Sequence, residues 1–322
     1  MQHRQNHKTL HSMLTVFIAM ASLAIAGVAE AGPLRERLAQ SRHATGQADD
    51  IGLDSQEEGA GDAALTPDIQ VVRDIAYGAD NEQRFDVYLP RAAQGQNAPV
   101  ILMVHGGGWY RGDKAMKAVV ENKASYWVGK GYVFISTNYR LLPKAAPLEQ
   151  AEDVARALAV AQRRAASWGG DPSRFILMGH SAGAHLVALL ASAPEKARQH
   201  GAQAWLGTVM LDSAALDVVT VMEQRHARLY DNAFGDDRQS WRRASPYHQL
   251  SAGAAPMLMV CSTQRPAACP QAEQFAARAA TLGIRAQVSR QDLSHREINM
   301  LLGEAGRYTA AVDAFIRSLL PR

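Results

Sequence analysis

Apolar and polar residues alternate over residues 70–75 and again over 83–89, the period of half-buried strands that pair antiparallel. The pattern then changes. Residues 99–104 read PVILMV, a continuous apolar run that predicts a strand covered on both faces. A helix is predicted over 115–130, a second buried strand over 132–136, and a long helix over 147–168. That helix carries Val154, Leu158 and Ala161 at helical spacing and ends at Gly169-Gly170. The alternation continues with strands over 175–178, 207–211, 256–261 and 285–289, and helices over 182–193, 271–282 and 305–320. Strands and helices in this order predict an α/β fold: a mainly parallel central sheet with helices on both faces, extended at one edge by the antiparallel pair. Between Asp217 and Ala255 the rhythm breaks and Tyr230, Phe234, Trp241 and Tyr247 collect. This predicts a small insertion over the carboxyl ends of the strands, where open α/β sheets bind ligands.

The amino terminus follows a different logic. His3, Arg4, His7 and Lys8 precede an apolar stretch over 13–28, and Ala29-Glu30-Ala31 follows it. These are the three parts of a secretory signal peptide, with cleavage expected after Ala31 and export to the periplasm or beyond. The apolar run is short for a membrane span, so no stable membrane insertion is expected after cleavage. Residues 32–67 are rich in Ala, Gly, Gln, Asp and Glu and read as a flexible linker, which leaves 68–322 as one domain.

Composition adds limits. The chain is 47% hydrophobic and 20% charged, as globular proteins are, and its net charge of +3 with no basic run argues against nucleic acid as a partner. Its two cysteines, Cys261 and Cys269, are expected to close a small loop as a disulfide in an oxidising compartment. No spacing of His, Cys and carboxylates suggests zinc, and no cofactor is expected. Nothing in the sequence sets an oligomeric state.

The chemistry concentrates in two segments. Residues 179–183 read GHSAG, between a predicted strand and a predicted helix. Such a turn presents a nucleophilic serine, here Ser181, with Gly179 and Gly183 removing Cβ atoms that would clash. The helix starting near Ala182 directs free amides at the oxyanion formed on attack. The second segment, His105-Gly106-Gly107-Gly108-Trp109, follows the PVILMV strand. The amides of Gly107 and Gly108, with that of Ala182, are expected to form an oxyanion hole.

With HGGGWYRGDK (105–114), NYRL (138–141), WGGDPSRF (168–175) and GHSAGAH (179–185), the chain resembles the α/β-hydrolase superfamily. Within it, the likeness is to the HGGG-type esterases related to hormone-sensitive lipase and to the arylformamidases, over about residues 68–320. The resemblance implies a catalytic histidine after the last strand, where His295 stands. His180 and His185 flank the nucleophile, and His226 and His248 lie in the insertion. It also implies an aspartate after the strand over 256–261, but the chain reads Cys261-Ser262-Thr263-Gln264-Arg265-Pro266, with an arginine where the aspartate is expected. A triad needs a carboxylate to orient the imidazole and stabilise its cation. Asp212 is favoured, because residues 209–214 (VMLDSA) are similar to the stretch supplying the acid in pancreatic-type lipases. Asp217 and Asp292 remain alternatives.

The function implied is an exported serine carboxylesterase acting on small-molecule esters through an acyl-enzyme. An arylformamidase-like hydrolase of small amides is the alternative, followed by a non-catalytic exported binding protein that keeps the fold.

Overall fold

A computed structural model describes residues 65–66, 68–91 and 97–321. The predicted signal peptide (1–31) and nearly all of the predicted linker (32–67) lie outside the described residues.

Eight strands form one sheet: β1 (Ile69–Ala76), β2 (Arg84–Pro90), β3 (Ala98–Val104), β4 (Val133–Thr137), β5 (Gly170–His180), β6 (Gly207–Leu211), β7 (Met257–Ser262) and β8 (Ala286–Gln291). Their order across the sheet is β1-β2-β4-β3-β5-β6-β7-β8. The pairings β1–β2 and β2–β4 are antiparallel and the remainder parallel.

Why the central strands are apolar without interruption is visible in β3 and β5. Val100, Leu102, Phe175 and Leu177 enter one core, and Ile101, Met103, Ile176 and Met178 enter the other. The first core is covered by α2 (Pro147–Arg164), α3 (Ala182–Ser192) and α9 (Ala268–Thr281), and the second by α1 (Lys117–Val128) and α11 (Arg307–Leu319). Each side chain alternates to a buried face, so every position of the strand must be apolar. This is the α/β-hydrolase fold.

Chain direction across the sheet reverses at β3, which lies between β4 and β5. A crevice opens at the carboxyl ends of strands at such a switch point. The HGGG segment leaves β3 there, and GHSAG leaves β5 beside it. The predicted insertion resolves into four short helices, α5 (Val218–Glu223), α6 (Arg228–Phe234), α7 (Arg238–Ala244) and α8 (Pro246–Gln249).

Two other short helices, α4 (Pro194–Arg198) and α10 (His295–Met300), are too brief to show periodicity in sequence. The second nonetheless carries a capping box. Ser294 Oγ accepts from the amide of Glu297, whose carboxylate accepts from the amide of Ser294.

Candidate active site

Ser181 has φ 53° and ψ −118°, a conformation costing a non-glycine residue about 1–3 kcal/mol. Bonds on both sides impose it. Its amide donates to Leu211 O at 2.9 Å, continuing the β5–β6 ladder, while its carbonyl accepts from His185 N at 3.1 Å, beginning α3. Close approach explains the flanking glycines. A Cβ on Gly179 would lie 2.4 Å from Gly183 O, and one on Gly183 would lie 2.2 Å from Val104 O. The second contact presses the end of β3 onto the first turn of α3, so the HGGG segment abuts the free amides of that helix.

Gly107, Gly108 and Trp109 have φ of 111°, 60° and 68°, three successive left-handed residues that curl the segment. The NYRL motif holds this curl from behind. Tyr139 stacks on the His105 ring at 4.4 Å and donates its hydroxyl proton to His105 O at 3.0 Å. Asn138 accepts from Lys114 N at 2.6 Å and donates to Asp113 at 2.8 Å.

From the other side, buried Trp109 donates its indole N–H to His185 Nδ1 at 3.2 Å, and His185 Nε2 donates to Ala244 O at 2.7 Å. This fixes the His185 tautomer, and burial pushes its pKa down to about 4. Tyr230 and Phe234 of α6 pack against Trp109 with ring centroids at 5.9 and 5.0 Å. The insertion's aromatics thus brace the glycine segment.

Asp212, one residue past β6, is fully buried with φ 54°. Its Oδ2 accepts from His295 Nδ1 at 2.6 Å, and its Oδ1 accepts from the Ser262 amide at 2.8 Å. Burial would raise its pKa, but the Arg265 charge and the His295 hydrogen bond outweigh burial and hold the carboxyl well below the usual carboxylate range. His295 begins α10. Its ring lies 4.4 Å from that of His180, whose Nε2 donates to His295 O at 3.1 Å. Burial, then the neighbouring His295, drives the His180 pKa well down and keeps that ring neutral.

The other two carboxylates are engaged elsewhere. Asp217 caps α5, accepting from Thr220 N and Oγ1, and Asp292 accepts from the Gln264 side chain at 3.2 Å. Cys261 and Cys269 are joined as a disulfide with Cα atoms 5.1 Å apart. Inside the loop they close, Arg265 Nη1 donates to Asp212 Oδ2 at 2.7 Å and to Asp212 O at 3.0 Å.

Arg265, Trp109, Tyr139 and His185 have no role in the site by sequence reasoning. The signal for Arg265 was its place at the expected aspartate. The rest act through contacts between distant segments, which no local pattern encodes.

The family described as BD-FAE matches residues 85–277, more than half of the 322-residue chain. The chain is 38% identical over 131 residues to esterase LipQ of Mycobacterium tuberculosis (strain ATCC 25618 / H37Rv), covering 40% of this chain and 31% of that protein. It is 29% identical over 184 residues to carboxylesterase NlhH of Mycobacterium tuberculosis (strain CDC 1551 / Oshkosh), covering 55% of each. It therefore spans from about a third to about half of the length of these relatives. Among solved structures, esterase B from Lactobacillus rhamnosis (HN001) superposes with a TM-score of 0.67 at 18% identity, over 89% of this chain and 95% of that one. The chain belongs to the BD-FAE family, on an α/β-hydrolase fold.

Proposed function

We propose that the protein is a serine carboxylesterase. The observation that carries this reading is the buried His295–Asp212 hydrogen bond, together with a serine held at positive φ on the strand-to-helix turn of a nucleophile elbow. In this mechanism Ser181 Oγ attacks the ester carbonyl carbon while His295 Nε2 takes its proton. Asp212, bonded to Nδ1, orients the ring and fixes the tautomer that leaves Nε2 free to take the proton. The amides of Gly107, Gly108 and Ala182 receive the negative oxygen, aided by the positive end of α3. His295 returns the proton to the leaving alcohol, and water then cleaves the acyl-enzyme by the same route.

Relatives named as esterases support an ester substrate. The disulfide and the amino-terminal pattern support export, which sequencing the mature amino terminus would test through cleavage after Ala31.

Hydrolysis of p-nitrophenyl butyrate by the wild type and Ser181→Ala tests the activity. The variant should lose about 10⁴-fold or more in kcat, and a phosphonate ester should add covalently to the wild type alone. A folded wild type inert to both esters and phosphonates overturns the reading.

A further inference from the structure

The loop after β7 stands where the family resemblance placed an acid, and it delivers a cation. Arg265 is 5% exposed and the Asp212 carboxylate is completely buried. Its Nη1 lies 2.7 Å from Asp212 Oδ2 and 3.0 Å from His295 Nδ1. The nitrogen of His295 is itself 2.6 Å from Oδ2. The proton on Nδ1 points at Oδ2, so the contact between the two nitrogens joins no donor to an acceptor. It is two donors converging on one oxygen, with a permanent positive charge against the ring that must become positive during catalysis.

We propose that Arg265 is a positioning residue that neutralises Asp212 and thereby keeps His295 a weak base, unprotonated and ready at mildly acidic pH. This rests on the reading of His295 as the general base. A buried carboxylate facing a histidine ordinarily favours the imidazolium. Here the attraction from Oδ2 at 2.6 Å and the repulsion from Nη1 at 3.0 Å act over nearly equal distances, so they largely cancel whatever the local dielectric. The carboxylate keeps its hydrogen bond, which orients the ring, but gives up most of its net charge effect.

The other groups around His295 do not take over this role. His180 at the end of β5 is held neutral by burial, and the hydroxyls of Tyr230 and Tyr308 are pushed up by burial and stay uncharged. Lys123 of α1 donates to Asn299 O on the helix that His295 begins. Glu297 caps that same helix, and Asp292 before it bonds to Gln264. None of these hydrogen bonds is made to Arg265.

The loop is built to hold the guanidinium. The disulfide joins residues 261 and 269 around it, and Ser262 in the same loop supplies the amide on Oδ1 and donates its hydroxyl proton to Leu293 O at 2.6 Å. One short ring therefore grips both carboxylate oxygens.

The test compares wild type, Arg265→Gln and Arg265→Lys in two ways. NMR of protein labelled with ¹⁵N-histidine, with the His295 signal assigned by its loss in His295→Gln, reads the protonation midpoint of the ring without any substrate. In Arg265→Gln that midpoint should rise by about 1–3 pH units, and Arg265→Lys should recover most of the shift. The acid limb of kcat/KM for p-nitrophenyl butyrate should move by the same amount. At pH 6, Arg265→Gln would then lose about tenfold or more relative to its own alkaline plateau. A purely structural arginine would lower activity at every pH and leave both midpoints in place, which overturns the proposal. If Arg265→Gln does not fold, Asp212→Asn and Asp212→Asn/Arg265→Gln pose the same question by NMR. The double variant should titrate higher than the single one, and equal midpoints refute the idea. A wild type that cleaves no ester defeats the esterase reading alone, since the NMR comparison still decides what Arg265 does.

Discussion

Ser181 and Asp212 share a positive backbone φ, 53° and 54°, each one residue beyond a pair of neighbouring strand ends, His180 and Leu211, that face each other across the β5–β6 ladder. The two residues proposed as nucleophile and acid are thus turned out of the sheet by the same local device. The cost is backbone strain at both, offset by the ladder bonds Ser181 N to Leu211 O and Asp212 N to Val260 O.

Strain at Ser181 makes stability and activity separable. Ser181→Gly and Ser181→Ala should both be inactive, but the glycine variant should be more stable by about 1 kcal/mol or more, because only glycine occupies this region freely. Urea unfolding of the two variants measures the difference, and equal stabilities would mean the turn is unstrained.

The choice of acid is open to direct comparison. Asp212→Asn should lower kcat by about 10³–10⁴ with little change in KM. Asp217→Ala, which removes a helix cap, should cost about 1 kcal/mol of stability and leave kcat within about twofold. Steady-state kinetics beside thermal melts distinguishes the two.

The bond from Trp109 requires neutral His185, whose pKa is pushed from its ordinary value down to about 4 by burial. Since the folded value lies below the unfolded one of about 6.5, the unfolded chain binds more protons between these limits. Stability should therefore be full above pH 6.5, fall as pH drops towards 4, and lose about 3 kcal/mol from this group. In His185→Gln that part of the pH dependence should vanish when unfolding free energies are measured from pH 4 to 7.

Opening the Cys261–Cys269 ring should cost about 2–3 kcal/mol in loop entropy. Both grips on Asp212, the Ser262 amide and Arg265, lie in that ring. Cys261→Ser/Cys269→Ser should accordingly lower kcat more than it raises KM, as kinetics of the oxidised wild type and the double variant would show.

Much of this molecule is written in local pattern. Central strands buried on both faces need unbroken apolar runs, so PVILMV and the GHSAG turn announce β3 and the β5–α3 junction at once. The strand before GHSAG runs longer than its apolar core, Gly170–His180 against 175–178, because its start pairs with Ala98 through backbone bonds indifferent to side-chain type. The helix that His295 begins has only 6 residues, too few for periodicity to announce it. The arrangement around Asp212 was legible only in outline: an arginine at an expected aspartate says that the acid has moved, and the guanidinium's direction depends on a loop geometry that no spacing rule encodes.

The His180 ring, neutral and lying 4.4 Å from His295, gives the site a direction. One nitrogen of His295 is committed to Asp212, and a flat uncharged slab lies beside the ring. In the proposed mechanism a proton gained from Ser181 on Nε2 leaves by one route, back towards the substrate, so the imidazole would work as a one-door relay whose traffic is set by what occupies the site.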